Sequence, residues 1–214
     1  MSRKTLAGEP FVATRIISLG GRCAVAHNLR RFFDFGEAFP FDWWITPFDG
    51  LIKFLAHPDP DWLYDPAKLD LTANNGSVRH TDLGIRLHHE FPRDRIEGQP
   101  INPSFRDTIA MPKARTTRLI KKLLALDTEG ESLVFVRERE RPDPVEELMP
   151  VLAALYQKAE WRSLAVPHVA SDDSVHGWEG DPALWDKALA DLPIQFARRD
   201  PKRYTVSQPH AEIH

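Results

Sequence analysis

The sequence contains a single cysteine, Cys23, in surroundings that suit a nucleophile. It lies in the stretch IISLGGRCAVAHNLRR (residues 16–31), where an apolar run stops at two glycines and an amphipathic segment follows. This order predicts a strand, a tight turn and a helix. The N–H groups and positive dipole of a helix N-terminus would stabilise a thiolate and bind a developing oxyanion. The alternative is a small core residue beside Ala24 and Ala26, because free cysteine is among the most buried residue types.

A thiolate nucleophile needs a base, and His89 is a candidate among the nine histidines of the chain. In GIRLHHEF (residues 84–91), the alternation of a strand would place His89 on the apolar face and His88 and Glu90 on the other. A histidine on that face is either a base or a core residue whose ring has found a partner. The adjacent histidines would point apart, and the chain has no cysteine pair and no HExxH motif. We therefore predict no metal and no cofactor.

A second candidate base is His176, in the stretch SDDSVHGW. Asp173 and His176 have the D-x-x-H spacing with which many SGNH-class hydrolases supply and orient a base. The alternative is a loop in which Asp172 and Asp173 cap a turn before Trp178.

Candidate substrate-binding residues lie in the aromatic stretch AFPFDWWITPFDG and at the end of an apolar strand. Asp42 and Trp43 would line a substrate cleft, or Asp42 would serve as a structural clamp that needs a charged or hydrogen-bonded partner. Arg137 follows the apolar run LVFV, where it would either pair with a carboxylate such as Asp42 or face a ligand.

The elements that must position these residues alternate between strands and helices. Strand character is found in RIISL, GIRLHHEF, SLVFVRE, SLAVPHVA and PIQFARR, and helical periodicity in residues 49–57, 113–126, 144–158 and 182–192. LVFV is apolar on both faces, as in a central strand covered by helices. We predict an α/β fold with a single three-layer domain over residues 11–200, a mostly parallel sheet of about five strands of SGNH-like or Rossmann-like type, and loose ends at 1–10 and 205–214.

Charge and composition narrow the range of partners. A net charge of −3 makes nucleic acid an unfavourable partner. A lone cysteine cannot form an internal disulfide, and the chain shows no apolar leader segment and no run of about 18 apolar residues. These observations predict a cytoplasmic protein that does not bind membranes.

The motifs, in this order, resemble a bacterial family whose members are described as papain-like cysteine peptidases. The resemblance rests on ISLGGRCAVAHNLRR, FPFDWW, GIRLHHEF and LVFVR, over about residues 16–137, with Glu90 where the family usually has aspartate. It implies Cys23 as the nucleophile, His89 as the base and a peptide or small acyl substrate. The orienting third residue stays open between Asp42, Glu90 and Asp173. A papain-like fold would have a helical half and a barrel half, whereas the periodicity favours an α/β sheet.

Three functions are consistent with these features. The first is a cysteine hydrolase or acyl transferase that uses Cys23 and His89. The second is an SGNH-like esterase or acyltransferase that acts on a carbohydrate ester, with Cys23 replacing serine and with Asp173 and His176 as its partners. The third is a non-catalytic binding module that uses the PFDWW stretch and Arg137.

Overall fold

The structure is a computed structural model that describes residues 10–93, 100–139, 145–169 and 177–197. The strands are β1 (Phe11–Ala13), β2 (Arg15–Ser18), β3 (Leu69–Leu71), β4 (Val78–His80), β5 (Arg86–Leu87), β6 (Ser132–Arg139), β7 (Glu160–Pro167) and β8 (Ile194–Phe196). The helices are α1 (Cys23–Phe33), α2 (Phe48–Ala56), α3 (Pro60–Leu63), α4 (Ala110–Leu124), α5 (Val145–Leu155) and α6 (Pro182–Ala190). Short 3₁₀ turns add Pro40–Trp43, Pro66–Lys68, Pro103–Thr108 and Gly177–Glu179.

A parallel sheet with the order β2-β6-β7 forms the centre of the fold. Alternate residues of β2 point to opposite faces, so that Ile16 and Ile17 belong to two different apolar clusters. α1 and α6 contribute to the cluster that contains Ile16, whereas α2, α4 and α5 contribute to the cluster that contains Ile17. The central position of β6, predicted from its two apolar faces, is confirmed.

The chain changes its strand partner at Thr14, between β1 and β2. Residues of β1 pair in parallel with β8, and residues of β2 pair in parallel with β6. Between them, the backbone N–H of Thr14 donates to the carbonyl of Ser132 at 2.8 Å, and its hydroxyl donates to Glu131 at 2.5 Å. The parallel strands therefore form a two-stranded and a three-stranded sheet.

A separate antiparallel sheet, β3-β4-β5, is built from the segment between α3 and α4. The segment predicted as strand 84–91 contributes only Arg86–Leu87, and it does so to this sheet. The α/β class is thus confirmed, but a single sheet of about five parallel strands is not found among the described residues. The sequence pattern could not reveal that one predicted strand pairs locally, across the short turn at residues 81–84.

The four predicted helical segments are confirmed as α2, α4, α5 and α6. α5 continues through Pro150. The single domain over 11–200 stays a prediction, and the predicted loose ends fall almost wholly outside the described residues. Within the described ranges, no helix is both long and apolar enough to cross a bilayer.

Candidate functional site

Cys23 begins α1 at the carboxyl end of β2, as the sequence predicts. Gly20 and Gly21 connect the two elements with φ angles of 77° and 90°, in the left-handed region that favours glycine. A Cβ atom on Gly20 would lie 2.9 Å from the Thr46 hydroxyl, so the turn also requires glycine for space. Reactive groups in α/β folds gather at this edge of a parallel sheet.

The thiol of Cys23 is buried, with 7% of the residue exposed. Burial is the main cause that raises its pKa from 9.0 to about 12, and the Glu90 carboxylate adds to the rise. A backbone hydrogen bond of Cys23 and the charge of Arg22 act in the opposite direction but are smaller. The backbone therefore favours the thiolate, in the direction expected of a helix N-terminus, but desolvation outweighs it and keeps the pKa of the thiol high.

His27 lies one helical turn after Cys23, and the sequence analysis missed it. Residues four apart on a helix are neighbours, so His27 shares a face of α1 with Cys23. Burial is the main cause of a lowered pKa at His27, so its imidazole is neutral. The Glu179 carboxylate, whose Oε2 is 3.9 Å from His27 Nε2, acts in the opposite direction. The C-x-x-x-H spacing within a predicted helix was the available signal.

His89 lies beyond the end of β5, in an aromatic cluster that we define as His27, Trp43, His89 and Trp178. The His89 ring is 5.6 Å from the Trp43 ring and 6.1 Å from the Trp178 ring. Trp178 also contacts the His27 ring edge-on, at 5.3 Å. The two indoles are 6.0 Å apart. One indole therefore packs against both imidazoles.

Trp178 is held in place by the helix that carries Cys23. The amide of Asn28 donates to the carbonyl of Glu179 at 2.9 Å and to the carbonyl of Ala24 at 2.9 Å. Trp178 itself is 37% exposed, which leaves the cluster open to solvent on that side. The buried amide of Asn28 on α1 therefore holds the segment that places Trp178 in the cluster.

Asp42 is a buried clamp, the structural alternative in the sequence analysis. Its carboxylate forms an ion pair with Arg30 and accepts the backbone N–H of Phe39 at 2.6 Å. The Arg30 guanidinium also lies 5.9 Å from the centre of the Trp43 ring. Asp42 therefore fixes the turn that presents Trp43, and its described partners include no imidazole.

Glu90 is buried too, although the predicted alternation placed it on the face opposite the apolar one. The carboxylate accepts the indole N–H of Trp44 at 2.9 Å and pairs with Arg115 at 2.6 Å. The predicted alternation stops at Leu87 because the strand ends there and the chain turns. Neither Asp42 nor Glu90 therefore contacts a histidine as an orienting third residue, while Asp173 and His176 lie outside the described residues.

Arg137 does not pair with Asp42, whose partner is Arg30. Its guanidinium donates to the carbonyls of Leu19 and Thr46 at 3.2 and 2.9 Å. It also lines a small cavity of about 160 Å³, together with Arg139 and Ser163. Arg137 thus supports the loop next to Gly20 and reaches that cavity, which leaves a ligand contact open as a proposal.

A charged network at the carboxyl edge of the sheet was also missed. Arg22 pairs with Glu138 through two hydrogen bonds, of 2.8 and 2.6 Å. His168 Nδ1 lies 3.1 Å from the same carboxylate, which is fully buried. These residues fix the backbone next to Cys23. Among the described residues, no group of three or more His, Cys, Asp and Glu side chains is arranged to hold a metal ion.

The chain was compared with known protein families, curated proteins and solved structures. Residues 14–168 match the family described as "Putative papain-like cysteine peptidase". Because the match covers most of the chain, this protein belongs to that family. No curated protein and no solved structure shows significant similarity to it. Trp178 and Glu179 lie beyond the matched segment.

Proposed function

We propose that the protein is a cysteine hydrolase in which Cys23 attacks an acyl carbon and His89 accepts the thiol proton. One observation carries the proposal. Two imidazoles, those of His27 and His89, pack against Trp178, and His27 follows Cys23 by one turn of α1. The electrostatic effect of Glu90 on the thiol also indicates that the segment containing His89 lies near Cys23.

The reaction begins from a neutral thiol because the pKa of Cys23 is raised to about 12. His89 takes the thiol proton as the sulfur–carbon bond forms, and backbone N–H groups in the first turn of α1 stabilise the oxyanion. The imidazolium then protonates the leaving group, and the carbon–leaving group bond breaks. Water, deprotonated by His89, hydrolyses the thioester and restores the thiol.

The substrate that we propose is a peptide or a small acyl compound. Trp43 and Trp178 would provide an apolar wall, with Asp42 holding the Trp43 turn. Arg137 would bind a polar group of the substrate from the small cavity. The family description supports the peptide, and the open side of Trp178 supports access to the cluster.

The experiment uses an electrophilic peptide probe that forms a thioether with a catalytic cysteine, followed by mass spectrometry of the intact protein. We expect labelling of Cys23 in the wild type, no labelling in Cys23→Ser, and labelling at least about 100-fold slower in His89→Gln. His57→Gln, at an exposed position after α2, is the matched control and should react like the wild type. Equal rates for His89→Gln and the wild type would remove His89 as the base.

A second function, a binding module without catalysis, is favoured by the buried, protonated thiol and the partly exposed Trp178. In that case Cys23→Ser would keep every biological effect of the wild type, and the peptide probe would not label Cys23. Labelling of Cys23 in the wild type, together with loss of the biological effect in Cys23→Ser, would exclude this function.

A further inference from the structure

A cleft on the exposed face of the β3-β4-β5 sheet is a second candidate site. It has a volume of about 660 Å³, within the range of ligand-binding pockets. Asp70, Arg79 and Arg86, which are cross-strand neighbours on one face of the sheet, line this cleft. Pro47, Leu71 and Ala73 add an apolar part to the lining.

Two arginines lie directly opposite each other in this cleft. Arg79 on β4 pairs in register with Arg86 on β5. The N–H and carbonyl groups of Arg86 both bond to Ile45, at 2.9 and 3.0 Å. The backbone of Arg86 therefore faces away from β4, which makes Arg79 and Arg86 a non-hydrogen-bonded pair. In such pairs the side chains come closest, and like charges repel.

The surrounding charges do not balance these two guanidinium groups. Asp70 is the cross-strand neighbour of Arg79, but its carboxylate also accepts a hydrogen bond from Arg106 at 3.2 Å. Over the described part of the chain, no ion pair is found for Arg79 or Arg86. In a protein with a net charge of −3, this face therefore concentrates positive charge.

We propose that this cleft binds an acidic peptide segment, with a carboxylate held between Arg79 and Arg86. Guanidinium forks match the flat carboxylate and can donate two hydrogen bonds each. The apolar wall of Pro47, Leu71 and Ala73 would contact the aliphatic part of the peptide. The cleft is far larger than an inorganic ion, which favours a peptide over free phosphate. This inference does not depend on catalysis by Cys23.

The test measures binding by calorimetry with the Cys23→Ala variant, so that turnover cannot consume the ligand. The probes are a glutamate-containing heptapeptide, the same peptide with glutamine at each glutamate, and inorganic phosphate. We expect saturable binding of the glutamate peptide, weakened about tenfold by Arg79→Gln or Arg86→Gln and weakened further by added salt. Arg118→Gln removes the same charge from an exposed position on α4, outside the cleft, and should bind like the parent.

A second readout separates a binding role from a structural one. Arg86→Gln removes the repulsion with Arg79, so the free protein should melt at an equal or higher temperature while its affinity for the glutamate peptide falls. Arg86→Lys keeps the charge without the fork, and its affinity should fall between those of the parent and Arg86→Gln. Equal binding of both peptides, binding of phosphate alone, or unchanged affinity in both arginine variants would overturn the proposal.

Discussion

Cys23 and His27 lie one turn apart on the same face of α1, with Cys23 at the start of the helix. His27 in turn contacts Trp178, which also contacts His89. α1 therefore carries a neutral imidazole on the same face as the thiol, in addition to the histidine that the family resemblance implies. Replacing each histidine separately distinguishes their roles.

We expect His89→Gln to lower kcat/KM at least about 100-fold, because it removes the proton acceptor. His27→Gln should lower kcat/KM by less than about tenfold, through displacement of Trp178, and should mainly raise KM. The measurement is steady-state kinetics with a peptide substrate found by screening. The opposite order of the two effects would assign the base to His27.

Alkylation of Cys23 by iodoacetamide should be slow at neutral pH and should still rise above pH 10. The physical reason is that burial raises the pKa of Cys23 to about 12, so that little thiolate exists at pH 7. Rates over a pH series, read by mass spectrometry, provide the measurement. A plateau below pH 8 would contradict the buried, neutral thiol.

The same titration affects stability. The pKa of Cys23 is higher in the folded protein than its ordinary value of 9.0, so this contribution is complete below pH 9 and is lost as the pH rises towards 12. At pH 10.5 the free energy of unfolding should fall by about 2 kcal/mol from this source. Cys23→Ala should not show this part of the loss, which urea denaturation of both proteins at several pH values would measure. Parallel curves would exclude the linkage.

The buried pair of Arg30 and Asp42 is expected to be sensitive to the loss of one partner. Asp42→Asn leaves the Arg30 charge buried without its counterion and should cost about 3 kcal/mol of stability. The double variant Arg30→Met with Asp42→Asn should be more stable than Asp42→Asn alone. Chemical denaturation of the single and double variants measures the coupling, and additive losses would argue against the pair.

Replacing Gly50 with alanine is expected to destabilise the protein, although the same change at other helical glycines usually stabilises. In a helix interior this change normally stabilises by about 1 kcal/mol. A Cβ atom on Gly50 in α2 would lie 2.0 Å from the carbonyl oxygen of Leu83, so we expect Gly50→Ala to destabilise by about 3 kcal/mol. Gly76→Ala, which meets only the flexible Asn74 side chain, is the control for thermal unfolding. A stabilised Gly50→Ala variant would show that α2 and the turn at Leu83 can separate.

Local pattern was sufficient for the elements near the nucleophile. The apolar run, the two glycines and the amphipathic segment predicted β2, the turn and α1, and the two apolar faces of β6 predicted its central place. These features depend on backbone preferences and burial within about a dozen residues.

The local sequence pattern could not predict which side chains that are distant in sequence pair with each other. Asp42 pairs with Arg30 and not with Arg137, and Glu90 pairs with Arg115, because tertiary packing decides which buried charges meet. The predicted face of Glu90 was wrong because the prediction assumed a strand through residue 91, whereas the strand ends at Leu87. The contact of Trp178 with His27 joins residues far apart in sequence, and no local pattern encodes it.

Three side chains on one short stretch of α1 fasten separate parts of the chain. Asn28 holds the segment of Trp178, Arg30 holds the turn of Trp43, and Arg31 pairs with Asp186 on α6. A tilt of this helix would move the sulfur and both indoles together. The site would therefore be rigid and would select ligands by their shape. Substitutions that change ligand preference during evolution should consequently occur first outside α1, at positions that these three contacts do not restrain.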